Sequence, residues 1–216
     1  MNDYEALLHQ AKRLEALQEI RNLMGRYSYL HSAFRNKEYA ELWAKRDDDR
    51  LDMPFGKFVG WEAVRHCYVD LHGDRSNPAD LDELRGLMMI HLMNTEIIEV
   101  AADGKTAKGV WLSPGTETAP QTGKEKGAWC WGKYEVEFIK EDGIWKFWHM
   151  ILYPLFLSPY NRSWGQPAPE KMLGQIQLED PMCQPLDAPM WEYGPDAEYP
   201  YDEPAMPDPY DHYKGL

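Results

Sequence analysis

The sequence predicts an α+β domain in which N-terminal helices pack against a curved antiparallel sheet around an aromatic-lined pocket. Three observations predict it. Apolar residues recur at helical spacing through the N-terminal part of the chain. From residue 88 onward the pattern changes to long β-rich runs separated by Asp-Gly turns. Helices first and a meander of strands afterwards is the order of an α+β fold, not of alternating βαβ units.

Residues 4–31 read as one helix, with Leu7, Leu14, Leu17, Ile20, Leu23, Met24, Tyr27 and Leu30 or His31 on its stripe. A second helix is expected over 37–46, with Tyr39, Leu42 and Trp43 on one face. Gly60 precedes a third, in which Trp61, Val64, Tyr68 and Leu71 align. Residues 72–83 are polar and contain Asn77-Pro78, which marks a loop or a short helix. Strands are expected over 88–100, 106–113, 128–140 and 144–157. Asp103-Gly104 and Glu141-Asp142-Gly143 supply hairpin turns, and Pro114-Gly115 ends the second strand. A Gly-, Thr- and Lys-rich connection fills 115–127, and Pro154 makes the fourth strand an edge or places a bulge in it.

Two regions follow, a folded domain over residues 1–157 and an extended arm over 158–216. Eleven of the sixteen prolines lie at 159 or later, a density that excludes long helices and central strands. Tyr160, Tyr193, Tyr199, Tyr201, Tyr210 and Tyr213 punctuate the arm, which is expected to pack on its own domain or on a neighbouring subunit of a homo-oligomer.

The net charge of −13 disfavours a phosphate backbone as partner, because nucleic-acid binding needs clustered Lys and Arg. Much of that acidity belongs to the arm, from Asp187 to Asp211, and says little about the pocket. No apolar run reaches the roughly 18 residues of a membrane span. Met1-Asn2-Asp3-Tyr4-Glu5 lacks a signal-peptide start, and Cys67, Cys130 and Cys183 form no disulfide framework, so a cytoplasmic location is expected. There is no phosphate loop, dinucleotide fingerprint or Gly-x-Ser-x-Gly, and the seven histidines lack a paired metal-ligand motif.

Several segments in order carry a resemblance: Leu14-Glu15-Ala16-Leu17 through Gly25-Arg26-Tyr27, then Asp52-Met53-Pro54-Phe55 and Gly60. His91-Leu92-Met93-Asn94 and Asp142-Gly143-Ile144-Trp145-Lys146 before His149 complete it. Over about residues 10–157 the chain resembles the SnoaL-like branch of the NTF2-like superfamily. The resemblance implies a cone-shaped, cystatin-like α+β fold with a deep pocket. It also implies one of several activities: cofactor-free dehydratase, isomerase, polyketide cyclase, or a lyase such as those that release formaldehyde from lignin dimers. Some members of the superfamily bind a ligand and catalyse nothing.

Tyr27, His91 and His149 are the candidate catalytic residues. Dehydratases of the family hold a pocket histidine at the place of His91, and imidazole titrates near working pH. His149 follows Trp145 and Phe147 at period two, so one face would carry all three. Tyr27 ends the helical stripe, where a phenol can donate to a developing oxyanion. His31, Phe55, Trp111, Glu117, Lys133 and Tyr134 are the candidate substrate contacts, with Trp111 as a pocket wall and Glu117 and Lys133 as an acid, a base or an ion pair. Strict alternation puts Trp129, Trp131 and Lys133 on one sheet face and Cys130 and Tyr134 on the other. One departure stands out: family dehydratases carry an aspartate just after the first helix, and this chain reads His31-Ser32-Ala33-Phe34-Arg35-Asn36 there. The expected function is a lyase that needs no cofactor or metal and eliminates water or formaldehyde from a hydroxylated aromatic or polycyclic small molecule. The alternatives are a non-catalytic binding protein for such a ligand, a cyclase or isomerase, and an assembly module.

Overall fold

The computed structural model describes residues 2–118, 127–165, 179–200 and 202–214. Helix α1 (Asp3–Ser32) opens with a capping box, in which Asn2 Oδ1 accepts from Glu5 N and Glu5 accepts from Asn2 N. Its buried stripe is Ala16, Ile20, Leu23, Met24, Tyr27 and His31, and no residue of the helix before Ala16 is buried. Leu7 and Leu14, expected on that stripe, are 64% and 67% exposed. The expected second helix shrinks to α2 (Asn36–Ala40), after which Trp43 leaves helical geometry to bridge to Phe147. Two short strands that hydrophobic period did not reveal follow, β1 (Arg50–Met53) and β2 (Gly56–Val59). Helix α3 (Trp61–Arg65) runs on into a turn of π-helix (His66–Leu71), and a 3-10 turn covers Pro78–Leu84.

The sheet is completed by β3 (Met89–His91), β4 (Asn94–Val100), β5 (Thr106–Glu117), β6 (Ala128–Glu141) and β7 (Ile144–Pro159). Its order is β2-β1-β7-β6-β5-β3, with β4 also paired to β5, and all pairs are antiparallel except β1 with β7. The run expected as one strand over 88–100 splits in two, and Thr95 has a left-handed φ of 52°. Pro114-Gly115 does not end β5, which pairs with β6 without a register break as far as Glu117. Residues 119–126 of the expected connection lie outside the described residues.

Two register shifts between β6 and β7 decide which side chains face inward. One passes from Phe138↔Phe147 to Glu137↔His149, so Trp148 is the extra residue and the parity of β7 flips there. Trp145 and Phe147 point into the core, as do Met150 and Leu152 beyond the bulge, while His149 points out of the other face. The second shift lies beside Pro154 and makes Leu155 the extra residue, whose carbonyl accepts from Tyr193 N at 2.9 Å.

The described parts of the arm lie on this same chain. Gln184 and Lys57 exchange two backbone hydrogen bonds of 2.8 Å at the β2 edge, and Asp187 pairs with Arg50 and Lys57. Further on, Ala102 N donates to Tyr210 O, and Tyr213 donates to Glu137 at 2.9 Å on the outer sheet face. Among the described residues no helix is long and apolar enough to cross a membrane.

Candidate active site

The inner sheet face, the end of α1, the β1–β2 turn and the end of the π-helix enclose a cavity of about 100 Å³. Each element contributes for a local reason. The stripe of α1 continues past its apolar residues to Tyr27 and His31, so its last buried turn is polar. Alternation along β5 places Ser113, Gly115 and Glu117 on one face, and β3 sets Met89 opposite Glu117 and His91 opposite Gly115. Gly115 is needed there: a Cβ would lie 2.7 Å from Cys130 O, 2.8 Å from Ile90 O and 2.9 Å from His91 Nδ1. Cys130, Gly132 and Tyr134 of β6 and Leu152 and Pro154 of β7 form the floor, and Glu192 of the arm closes one side.

Three imidazoles converge. His31 and His91 are stacked with centroids 6.0 Å apart, and His72 meets His31 edge-on at 5.6 Å. Burial, with His72 and His91 nearby, pushes His31 down to about 3. Burial and then His72 push His91 down to about 4, and burial also lowers His72. All three rings are therefore neutral at pH 7. Among the described residues the His91 ring has no hydrogen-bond partner, whereas His31 Nδ1 lies 2.9 Å from Asn36 Oδ1 and His72 Nδ1 donates to Cys67 O at 2.8 Å.

Two phenols meet beneath them, with the Tyr27 and Tyr134 oxygens 2.9 Å apart. Burial pushes Tyr27 up to about 12 and Tyr134 well above its ordinary value, so both keep their protons. Glu117 is 8% exposed, and burial raises it toward the protonated acid. Ser113 is 2% exposed and its Oγ has no partner among the described residues.

The cavity thus brings together Tyr27, His31, Phe55, His91, Glu117 and Tyr134. Three expected residues lie elsewhere. His149 faces outward because of the Trp148 bulge; its Nδ1 lies 2.6 Å from Glu137 and its Nε2 3.0 Å from Asp48 O. Lys133 points away from Glu117 across the sheet, donating to Glu203 O at 2.7 Å and lying over the Tyr199 ring. Trp111 packs against Phe138 at 6.0 Å in the core, outside the cavity wall. Of the other lining residues, His72 and Glu192 carry chemistry that sequence reasoning did not single out. His72 follows Tyr68 by one helical turn, a signal hidden by the polar loop that begins there. Glu192 sits among the acidic residues of the arm and carries no local signal. Among the described residues no group of three or more His, Cys, Asp or Glu is arranged to hold a metal ion.

A long helix laid across a curved antiparallel sheet, with a polar cavity at its C-terminal end, is the cystatin-like architecture of the NTF2-like class. Within that class the chain belongs to the SnoaL-like domain family, whose model matches residues 12–151. No curated protein matches the chain. Among solved structures it is similar to a candidate scytalone dehydratase of Novosphingobium aromaticivorans, at 18% identity and TM-score 0.56, covering 75% of this chain and 99% of that one. It is also similar to the hexachlorocyclohexane dehydrochlorinase LinA-type3 of Novosphingobium barchaimii, at 17% identity and TM-score 0.55, covering 74% and 99%. At these identities the likeness is one of fold.

Proposed function

We propose that this protein is a lyase that eliminates water from a small hydroxylated ring compound by acid–base chemistry of its own side chains. The observation that carries the reading is the convergence, in one cavity, of an unbonded imidazole, a pair of neutral phenols and a carboxyl group raised by burial. In the reaction His91 takes a proton from carbon, and the electron pair forms the new double bond as the C–O bond breaks. Glu117, whose carboxyl burial shifts toward the acid form, gives its proton to the departing hydroxyl, which leaves as water. The Tyr27–Tyr134 pair donates to an oxygen that gains negative charge during proton removal. A base as weak as His91 removes a carbon-bound proton only as the leaving group departs, which is why a proton donor in the same cavity matters. No step calls for a cofactor.

The dehydratase and dehydrochlorinase named among the fold neighbours both have elimination in their names, which agrees with this reading. Size narrows the substrate. Sites for drug-sized ligands span roughly 300–1,000 Å³, and about 100 Å³ admits one ring at a time. The test is incubation of the protein, treated with chelator and without added cofactor, with a panel of hydroxylated cyclohexanone, phenolic and polyketide-like compounds. Mass spectrometry reads the products. A loss of one water that depends on the protein supports the reading. Release of formaldehyde points to a carbon–carbon lyase in the same cavity, and saturable binding without any product makes the protein a ligand carrier.

A further inference from the structure

His31 is held from one side only. Asn36 is fully buried, and its Nδ2 donates to Gly73 O at 2.7 Å. A backbone carbonyl only accepts, so this bond fixes which end of the amide is nitrogen, and the other end, Oδ1, faces His31 Nδ1 at 2.9 Å. An amide oxygen accepts, so His31 carries its hydrogen on Nδ1 and a lone pair on Nε2. Nε2 has no partner among the described residues, in a ring that lines the cavity. With its ionisation pushed down to about 3 by burial, His31 keeps that lone pair throughout the neutral range.

The surrounding wall has a matching character. Among the described residues no Lys or Arg lines the cavity, and its carboxyl groups are Glu117 and Glu192. An anionic ligand therefore meets the His31 lone pair and the Glu117 carboxyl with no Lys or Arg among the described lining residues. Ser113 adds a buried hydroxyl with no partner among the described residues, and a polar group so placed is stabilised by a polar atom brought to it. The cavity volume of about 100 Å³ is of the order of the roughly 150 Å³ hollow that takes one benzene.

We propose that the cavity selects a neutral alcohol or phenol carried on a single ring, whose hydroxyl donates to His31 Nε2 and contacts Ser113, with Asn36 as the positioning residue that holds the His31 tautomer. The inference rests on the cavity being the substrate site of the preceding reading, but not on elimination taking place there. An ether of the same shape lacks the hydrogen, and a carboxylate offers only acceptors.

The experiment uses the full chain labelled with ¹⁵N in its histidine rings, with the His31 signals assigned by their loss in His31→Gln. Phenol, anisole and benzoate are the probes. The expected spectrum of the free protein has a protonated Nδ1 and an unprotonated Nε2 on His31. Phenol should shift the Nε2 signal saturably and bind about tenfold or more tightly than anisole or benzoate, as a site built for a hydroxyl discriminates. Asn36→Leu should mix the tautomers and level phenol with anisole, whereas Asn36→Asp, which keeps an acceptor toward Nδ1, should retain the tautomer. Hydrogen on Nε2 in the wild-type protein, anisole bound as tightly as phenol, or no saturable shift with phenol would each overturn the proposal. Should Asn36→Leu not fold, the wild-type tautomer and the phenol-to-anisole ratio still decide it. Phenol binding with the expected tautomer but no product from any compound removes the elimination reading alone.

Discussion

At the scale of single residues, the cavity works by keeping its imidazoles and phenols neutral. Burial lowers His31 and His91 and raises Tyr27 and Tyr134, so these rings stay uncharged around pH 7, and burial raises the Glu117 carboxyl as well. The rate should show this. If His91 is the base, its active form is lost only as pH falls through about 4, so kcat/KM should not fall between pH 7 and about 5. A fall centred near the ordinary histidine value of about 6.5 would contradict the assignment. Tyr134→Phe tests the phenol pair: removing one donor to a developing oxyanion should lower kcat by about 10²–10³. It also leaves the Tyr27 hydroxyl without its 2.9 Å partner, at about 1 kcal/mol of stability read by urea denaturation. Tyr27 and His31 were legible in the sequence because the α1 stripe turns polar there, His91 through the family resemblance, and Glu117 and Tyr134 as polar residues within a dense aromatic group. His72 and Glu192 were not, since a residue ending a helix or lying in an extended arm has no period to reveal its direction.

At the scale of elements, the long ones were legible and the short ones were not. Helix α1 and strands β5 to β7 run for many residues, so their periods average out exceptions. The four-residue strands β1 and β2 flank Pro54, too short for any period to be read. The position of His149 turned on one extra residue, Trp148, because a bulge inverts every side chain beyond it. Gly115 shows how closely two elements meet at the site. In Gly115→Ala the new methyl group would press on two backbone carbonyls, which have no rotamer to escape to. The expected outcome is a loss of about 1–3 kcal/mol, as for overpacked interiors, with His91 displaced. A thermal midpoint matching the wild type would show that β3 and β5 are looser than this packing requires.

At the scale of the whole molecule, stability should depend on pH through the same histidines. The unfolded chain gains protons near the ordinary histidine value of about 6.5, whereas folded His91 gains one only near 4 and His31 near 3. The unfolded state binds more protons in that interval, so their contribution is complete above about pH 6.5 and declines as pH falls toward 4. Each ring should account for about 2 kcal/mol lost between pH 6.5 and 5. Asp49, pushed up to about 7 by burial, works in the opposite direction and offsets part of this. Urea midpoints at pH 7 and pH 5 check the sum, and His91→Gln should flatten the slope. The arm contributes at this scale too. Tyr213 bonds the buried Glu137 carboxylate on the outer face, and Glu192 reaches the cavity from the same segment. Tyr213→Phe should lower stability by about 1.5–3 kcal/mol, the range for a hydrogen bond to a charged group, and an unchanged midpoint would make the arm a passive cover.

The most direct test of the central claim, that this cavity performs acid–base elimination with His91 as its base, is kcat/KM of His91→Gln against the wild type on whichever panel compound loses water. Loss of a positioned general base should lower it by about 10²–10⁴ while the fold, followed by circular dichroism, stays intact. Turnover undiminished in a folded His91→Gln protein would contradict the claim and move the proton acceptor elsewhere in the molecule.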